Sequence, residues 1–160
     1  MSTDSYDFNR QLSAGEAGEF ELDRHFRARY KIQRISRDAQ KAGIDRVFTS
    51  KRRRHRYTVE YKTDARAAAT GNAFIETVSV DAEDKAGWGY TSCAQIVAYY
   101  VPPTHKVYLA ETMRIKHELP KWESSYPTRS VPNDGYNTIG VLVPLDVFAA
   151  VCFVVEDVAV

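Results

Sequence analysis

The sequence predicts a mixed α/β fold, in which helices pack against strands within a single domain of 160 residues. Residues 14–30 have the apolar spacing of a helix, and residues 31–63 contain three short strand-like runs. The second half of the chain alternates further strand-like and helical runs. A chain of this length buries a hydrophobic core as one domain. Residues 1–11 are polar and acidic and are expected to form a flexible tail.

The first predicted helix carries an acid on the side that should face the sheet. Ser13 is placed to cap its N terminus, with Glu16 at the third helical position as in a capping box. At roughly 100° per residue, Glu19 lies on the same stripe as Asp23 and Phe26. A carboxylate in that position is costly unless it is paired or binds a metal ion. We therefore favour Glu19 over Glu16 as the functional acid of this helix.

Three strands are predicted next, at residues 31–36, 44–50 and 56–63. Their short spacing indicates an antiparallel meander. In the third strand, alternate side chains point to opposite faces. One face is aromatic and β-branched and suits the core. The other face carries Glu60 and Lys62 side by side.

The remainder of the chain is predicted to add strands and helices to this meander. A final, nearly all-apolar helix is too short to span a membrane and is expected in the core or at a dimer interface. The predicted segments are a strand at 73–80, a short helix at 91–95, a hairpin of 96–101 and 106–111, a helix at 113–125 that Pro120 bends or divides, a loop at 126–137, a strand at 138–143 and the final helix after Pro144.

Basic residues cluster between the second and third predicted strands. The net charge is +1, but residues 1–66 carry 16 Lys and Arg against 10 Asp and Glu (16 − 10 = +6), and residues 67–160 carry 6 against 11 (6 − 11 = −5). A basic hairpin tip suits the phosphate backbone of a nucleic acid, and the alternative is a tip that only aids solubility. The residues predicted to bind nucleic acid are Lys51, Arg52, Arg53, Arg54 and Arg56.

The acids near this hairpin suggest phosphodiester hydrolysis, which needs a nucleophilic water and relief of charge on the phosphate. Asp45 and Glu60, on neighbouring strands, could hold Mg²⁺, for which Mn²⁺ should substitute. The carbonyl of Tyr61 is a further candidate ligand, and Glu19 could complete the site directly or through water. Lys62 could orient the water and stabilise negative charge on the phosphate. Glu76 is a weaker candidate that one further strand would place at the rim.

The order of these residues resembles the PD-(D/E)XK nuclease superfamily, which includes type II restriction enzymes and Holliday-junction resolvases. The resemblance covers residues 14–64: a helix with Glu19, a strand, a strand with Asp45, and a strand with Glu60-Tyr61-Lys62. Ile44 replaces the proline of the motif, and the two strand acids are 15 residues apart (60 − 45 = 15). The resemblance implies a central mixed β-sheet flanked by helices, a restriction-endonuclease-like core. It also implies Mg²⁺-dependent DNA cleavage, with catalytic roles for Asp45, Glu60 and Lys62.

Structural interpretations of the same residues remain open. Glu60 and Lys62 could be an ordinary ion pair on a half-buried strand, and Asp45 could be a turn residue. Glu76 could serve structure alone. The alternative functions are a non-catalytic nucleic-acid-binding protein with a nuclease-like fold and an interaction module that dimerises through the apolar C-terminal helix.

The composition limits the expected binding partners and the expected cellular location. No apolar run approaches the roughly 20 residues that span a bilayer, so we expect no membrane association. Cys93 and Cys152 are far apart in the sequence, which favours reduced thiols in a cytoplasmic protein. The four scattered histidines make a zinc site an unfavourable interpretation. The expected partners are duplex or branched DNA and, for the cleavage of two strands, a second copy of the chain.

Overall fold

The structure is a computed structural model that describes residues 4–159, with the side chains of residues 14–159. Within this part of the chain, the helices differ widely in length, and the two longest cover the two sides of the molecule. The α-helices are α1 (Asp4–Phe26), α2 (Arg37–Lys41), α3 (Ala67–Thr70), α4 (Trp88–Thr91), α5 (Thr112–Ser125) and α6 (Leu145–Val151).

The strands form two sheets. Sheet A has six strands in the order β1-β2-β3-β6-β7-β10, and sheet B has four in the order β5-β4-β9-β8. Sheet A consists of β1 (Tyr30–Arg34), β2 (Arg46–Ser50), β3 (Arg56–Thr63), β6 (Ile96–Val101), β7 (Lys106–Glu111) and β10 (Val154–Asp157). Sheet B consists of β4 (Asn72–Val80), β5 (Lys85–Ala86), β8 (Thr128–Pro132) and β9 (Asn137–Pro144).

Sheet A is mixed, which confirms the predicted α/β class with a mixed central sheet. Strands β1, β2 and β3 form the predicted antiparallel meander. Strand β3 then pairs in parallel with β6, and β6 and β7 form the predicted hairpin. All of sheet B is antiparallel. Parallel β3 and β6 need a crossover, and the intervening chain supplies it by building the first strands of sheet B.

Two hydrophobic clusters lie on the two faces of sheet A. Helix α1 covers one face, where Leu22 and Phe26 pack on Phe48, Val59 and Tyr61. Sheet B, α5 and α6 cover the other face. The hydrophobic cluster on this face includes four fully buried side chains, one each from β4, β6, α5 and α6. These are Ile75, Tyr99, Ile115 and Phe148. The alternation of β3 therefore sends its aromatic residues towards α1 and Glu60 towards sheet B.

The N-terminal helix is longer than predicted. It runs Asp4–Phe26, so residues 4–11, which were predicted to be a flexible tail, belong to it, and residues 1–3 lie outside the described part of the chain. The predicted capping box at Ser13 is wrong because that residue lies inside the helix. The connector after β1 also contains a short helix, α2, because the Ser36 side chain accepts a hydrogen bond from the amide of Ala39.

The C-terminal half departs most from the prediction. The apolar run after Pro144 is helical only over Leu145–Val151, and the chain then forms β10 on the edge of sheet A, with Val155 opposite Tyr108. The predicted long helix is therefore wrong, and the shorter helix α6 packs in the core through buried Phe148. The segment predicted as a loop contains β8, which pairs with β9. Pairing with β7, which is distant in sequence, decides the strand character of β10, whereas β8 forms a hairpin with the next strand despite its turn-like composition.

Helix α5 continues through Pro120, which was predicted to bend or divide it. Ile115, Leu119 and Trp122 on one side of this helix are buried, so tertiary packing stabilises the segment despite the proline. The short helix predicted at 91–95 lies earlier, at Trp88–Thr91. Within the described residues, no helix has both the length and the apolar character needed to cross a membrane.

Candidate active site

The two strand acids predicted as metal ligands lie next to each other at the end of the β2–β3 ribbon. The register of β2 and β3 begins at Arg46 opposite Val59, and Asp45 lies one residue before this first pair, where the regular pairing ends. The Asp45 amide donates to the Val59 carbonyl (2.9 Å), and Asp45 Oδ2 accepts from the Tyr61 amide (2.7 Å). Asp45 therefore bonds to the backbone on both sides of Glu60, and the two carboxyl groups are close enough to interact electrostatically.

Glu60 is a buried acid with one unsatisfied oxygen. The residue is 3% exposed; its Oε1 lies 2.7 Å from Lys62 Nζ, and its Oε2 is buried without a hydrogen-bond partner in the structure. The turn before β2 approaches this oxygen closely, because a Cβ added at Gly43 (φ +78°) would lie 2.9 Å from it. A buried carboxylate oxygen without a partner is costly. A hard cation would supply the missing interaction.

Lys62 connects Glu60 to the solvent. Its side chain is 31% exposed, and its ammonium lies 5.5 Å from the ring centroid of Trp88 at the start of α4. Such a position over an aromatic face is favourable for a cation. The ring and the Glu60 carboxylate therefore hold the ammonium between the acids and open solvent, where an anionic group could meet it.

Burial and the neighbouring charges alter the acidity of the site. Burial raises the pKa of the Asp45 carboxyl; the amide of Tyr61 opposes the rise, and the Glu60 carboxylate adds to it. The surroundings of Asp45 therefore disfavour the ionised carboxylate, and a bound cation would favour it instead. Carboxyl groups with a perturbed pKa are common at functional sites.

Glu76 joins the site from a different direction than expected. It lies on β4 in sheet B, on the same side as Phe74, and it does not occupy a strand neighbouring β3. Burial raises the pKa of Glu76, the Lys62 ammonium opposes the rise, and the Glu60 carboxylate adds to it. Both interactions require Glu76 to lie near the predicted centre.

Glu19 lies near the site but is held by a buried arginine. Its Oε2 accepts from Arg46 Nη2 at 2.7 Å, while Arg46 Nε donates to Asp23 Oδ1 at 3.0 Å. Helix α1 thus presents Glu19 towards the strands, whereas Glu16 is exposed. Among residues 14–159, no three His, Cys, Asp or Glu side chains form a group ready to hold a metal ion. Of the predicted ligands, Asp45 lies beside Glu60, and Glu19 is engaged by Arg46.

A cleft of about 560 Å³ opens beside Lys62, between α1 and sheet B. Its wall includes Glu19 and Glu76, together with two exposed arginines, Arg66 and Arg129. The sequence analysis did not select these arginines. Arg129 lies in a segment interpreted as a loop, and neither residue belongs to a charge cluster that would have drawn attention to it.

The basic hairpin lies at the other end of the β2–β3 ribbon from the acids. All residues of the segment 51–56 are exposed, and Lys51 Nζ donates to the carbonyl of Arg27 near the end of α1 (2.6 Å). Asp45 and Ser50 bracket β2, so at about 3.3 Å per residue the tip is roughly 17 Å from the acids. The hairpin can contact phosphates only at some distance from a group bound at Lys62.

Replacing Glu76 with glutamine should raise the thermal stability of the metal-free protein at neutral pH. A carboxyl whose folded-state pKa is raised contributes stability below its unfolded pKa, and that contribution is lost as the pH rises through the folded value. The gain of the variant should therefore grow from pH 4 to pH 7.5, in thermal melts with a chelator present. Replacing the exposed residue Glu83 with glutamine is the control. If Glu76→Gln gave the same gain in melting temperature at pH 4 and at pH 7.5, Glu76 would not be a buried, charged group.

Comparison of the chain with protein-family models, with curated proteins and with solved structures gave no match. The distinctive features of the site are therefore those of its own side chains: two neighbouring acids, an unsatisfied buried oxygen and a lysine at the edge of a cleft.

Proposed function

We propose that this protein is a metal-dependent DNA endonuclease of the PD-(D/E)XK type, hydrolysing phosphodiester bonds. The observation that carries the proposal is the position of Asp45, bonded to the backbone on both sides of Glu60, with Lys62 on one oxygen of Glu60 and the other oxygen buried and unsatisfied. The mixed sheet A, with its meander and a parallel fourth neighbour, is compatible with the nuclease core that the sequence resembles.

Asp45 and Glu60 would hold Mg²⁺ or Mn²⁺, with the Tyr61 carbonyl as a further oxygen ligand. The residues fit such an ion, because carboxylate and carbonyl oxygens are the ligands that it prefers and one of them lacks any other partner. When bound, the ion supplies a nucleophilic water near neutral pH and relieves charge on the phosphate. Glu19 would act through water, since Arg46 already occupies one of its oxygens.

Lys62 would bind the phosphate and stabilise the charge that develops on it. Its ammonium is anchored by Glu60 and reaches the cleft, so it can donate to an anion without a large movement. Groups fixed in advance at the position of developing charge are the most effective electrostatic catalysts. Glu76 lies close enough to share in holding Lys62 or a metal-bound water.

The decisive experiment is incubation of the protein with supercoiled, linear, single-stranded and four-way-junction DNA, with Mg²⁺ and with a chelator. We expect cleavage of at least one substrate with the ion and none with the chelator. A millimolar divalent cation should also raise the melting temperature, because it binds the folded state only. The absence of both cleavage and a melting shift would contradict the proposal.

Replacing Lys62 with alanine should remove cleavage while leaving the fold and DNA binding nearly intact. The ammonium would be lost from the reacting phosphate, and a loss of about a hundredfold or more in rate is typical of one electrostatic catalytic group. Rates under single-turnover conditions and circular dichroism spectra would measure the two effects. Lys121, which is 77% exposed on α5, provides the control substitution. Equal cleavage by Lys62→Ala and the parent would exclude the assigned role.

The hairpin residues should contribute affinity without contributing to the chemistry. Converting Arg52, Arg53 and Arg54 together to alanine should weaken DNA binding and flatten its dependence on salt concentration, because phosphate contacts release counterions. Binding titrations at several salt concentrations would measure the slope, with Lys85, Arg114 and Lys121 changed together as the charge-matched control. An unchanged slope would show that the hairpin does not contact the backbone.

A non-catalytic nucleic-acid-binding protein is the second candidate. It is favoured by the internal ion pairs, since Lys62 neutralises Glu60 and Arg46 neutralises Glu19 without any added ion. That protein would show salt-dependent DNA binding, no melting shift with Mg²⁺ or Mn²⁺, and no cleavage. The incubation and melting experiments therefore separate the two candidates.

A further inference from the structure

We propose that the cleft beside Lys62 receives a single unpaired strand of nucleic acid, with one base stacked on Phe74 and the phosphates held by Arg66 and Arg129. This inference rests on the proposed nuclease function and narrows its substrate to DNA that has an unpaired strand, such as a flap or a frayed end. It makes the outward face of sheet B the surface that binds the substrate.

The wall of the cleft is the face of sheet B that does not pack on sheet A. On β4, Ala73 and Ile75 are fully buried, whereas Phe74 and Glu76 alternate to the other side and line the cleft. Leu142 on β9 lies opposite Phe74. An open sheet face that carries an aromatic ring among cations is a common surface for unpaired bases.

Gly140, which has no side chain, leaves the space that the Phe74 ring occupies over the neighbouring strand. Arg129, Gly140 and Glu76 form one row across β8, β9 and β4. A Cβ at Gly140 would lie 2.5 Å from Phe74 Cζ, so the ring extends over the glycine on the neighbouring strand. Any larger residue there would displace the ring. The aromatic side chain is thus fixed on the wall before a ligand arrives, which lowers the ordering cost of stacking.

The charges of the cleft suit a polyanion. Lys62, Arg66 and Arg129 line it, and both arginines are exposed. The carboxylate of Asp64, which also lines the cleft, is engaged by the protein: Oδ1 accepts from the amides of Arg66 (2.9 Å) and Ala67 (3.1 Å), and Oδ2 accepts from the Tyr99 hydroxyl. Glu19 is paired with Arg46 in the same way. These two acids are therefore satisfied from within, and the third acid of the wall, Glu76, lies near Lys62, which leaves Arg66 and Arg129 as exposed cations.

The size of the cleft selects against a double helix. Its volume of about 560 Å³ is within the range of pockets that enclose small organic ligands. A nucleotide fits such a space, whereas a base within a duplex is stacked and paired and would first have to be flipped out. An unpaired strand can reach Lys62 without the energetic cost of unstacking and unpairing a base. The basic hairpin, at the other end of the β2–β3 ribbon, remains free to contact the adjoining duplex.

The test presents one labelled oligonucleotide in three forms: single-stranded, as a blunt duplex, and as a duplex with an unpaired flap. Binding is measured by fluorescence anisotropy in chelator, and cleavage is measured with Mg²⁺ and with Mn²⁺. We expect the single-stranded and flap forms to bind at least about tenfold more tightly than the blunt duplex and to be cleaved at or beside the unpaired segment.

Substitutions then assign the effect to the cleft. Phe74→Leu keeps an apolar cover over Gly140 but removes the stacking face, and it should weaken binding of the single strand by roughly tenfold. Phe74→Trp should retain binding. Arg129→Ala should weaken binding of the single strand more than Arg114→Ala, which removes the same charge from α5. Arg129 is exposed, so its variant remains informative even if Phe74→Leu does not fold.

The failures of the two proposals are distinguishable. Equal binding of single strand and blunt duplex, or unchanged binding by Arg129→Ala and a folded Phe74→Leu, would overturn the cleft as a single-strand site. Cleavage of the blunt duplex would in that case leave the nuclease proposal standing. Selective binding of the single strand without cleavage of any form would support the cleft and overturn the nuclease.

Discussion

Replacing Asp45 with asparagine should abolish metal-dependent cleavage and the stabilisation by divalent cations. Asp45 lies beside Glu60, and asparagine removes one of the two anionic charges that would hold the ion. Metal-ion catalysis supplies several kcal/mol of transition-state stabilisation, so the rate should fall by at least roughly a thousandfold. Single-turnover cleavage and melting temperature, each with and without Mg²⁺, would measure the two losses.

The same variant should be more stable than the parent when no metal is present. Because burial raises the pKa of Asp45, the folded protein at neutral pH carries a carboxylate in an unfavourable setting. The stability associated with its proton is present below the unfolded pKa and is lost as the pH rises through the folded value. Asparagine keeps the acceptor for the Tyr61 amide and removes the charge. The melting temperature in chelator should therefore rise by a few degrees at pH 7.5.

Asp134, which is exposed in the turn between β8 and β9, provides the matched control for the loss of one negative charge. Asp134→Asn should leave cleavage and the metal-dependent melting shift unchanged. If Asp45→Asn kept a melting shift with Mg²⁺ equal to that of the parent, the ion would bind elsewhere. That result would remove the assignment of Asp45 as a ligand.

Replacing Arg46 with leucine should destabilise the fold by about 3–5 kcal/mol, because it leaves a buried charge without its partner. Arg46 is 1% exposed and Asp23 is 3% exposed. The guanidinium donates to Asp23, to Glu19 and to the carbonyl of Asp45, and it lies 5.1 Å from the ring centroid of Tyr61. Its loss would separate α1 from β2 beside the candidate site. Urea denaturation would measure the change in the free energy of unfolding.

Two further variants test the cause. Arg34 also approaches Asp23, at 3.9 Å, but its side chain is 72% exposed, so Arg34→Leu should cost less than about 1 kcal/mol. The double variant Arg46→Leu with Asp23→Leu should recover much of the stability lost in Arg46→Leu, because no buried charge then remains unpaired. A double variant less stable than Arg46→Leu would show that packing, and not the unpaired carboxylate, sets the cost.

The candidate site was predictable where it depends on neighbouring strands. The proximity of Asp45 and Glu60 could be predicted from side-chain alternation and from the short connection between β2 and β3, because such a connection sets the register of the two strands. Glu19 was predicted to face inward, and it does, but its pairing with Arg46 was not visible. The spacing of apolar residues along a helix predicts the side to which a side chain points, but it does not predict which residue that side chain contacts. Glu76 and Arg129 reach the cleft through sheet B, whose position relative to sheet A no local pattern encodes.

By itself, the sequence determined the mixed class, the β1–β2–β3 meander, the β6–β7 hairpin and the proximity of Asp45 and Glu60. Each of these depends on side-chain alternation over a few residues or on a short connection. Only the tertiary structure decided the division into two sheets, the strand character of residues 154–157 and the cleft between α1 and sheet B. Those features come from pairing between segments far apart in the chain, where backbone hydrogen bonds and burial outweigh local preference.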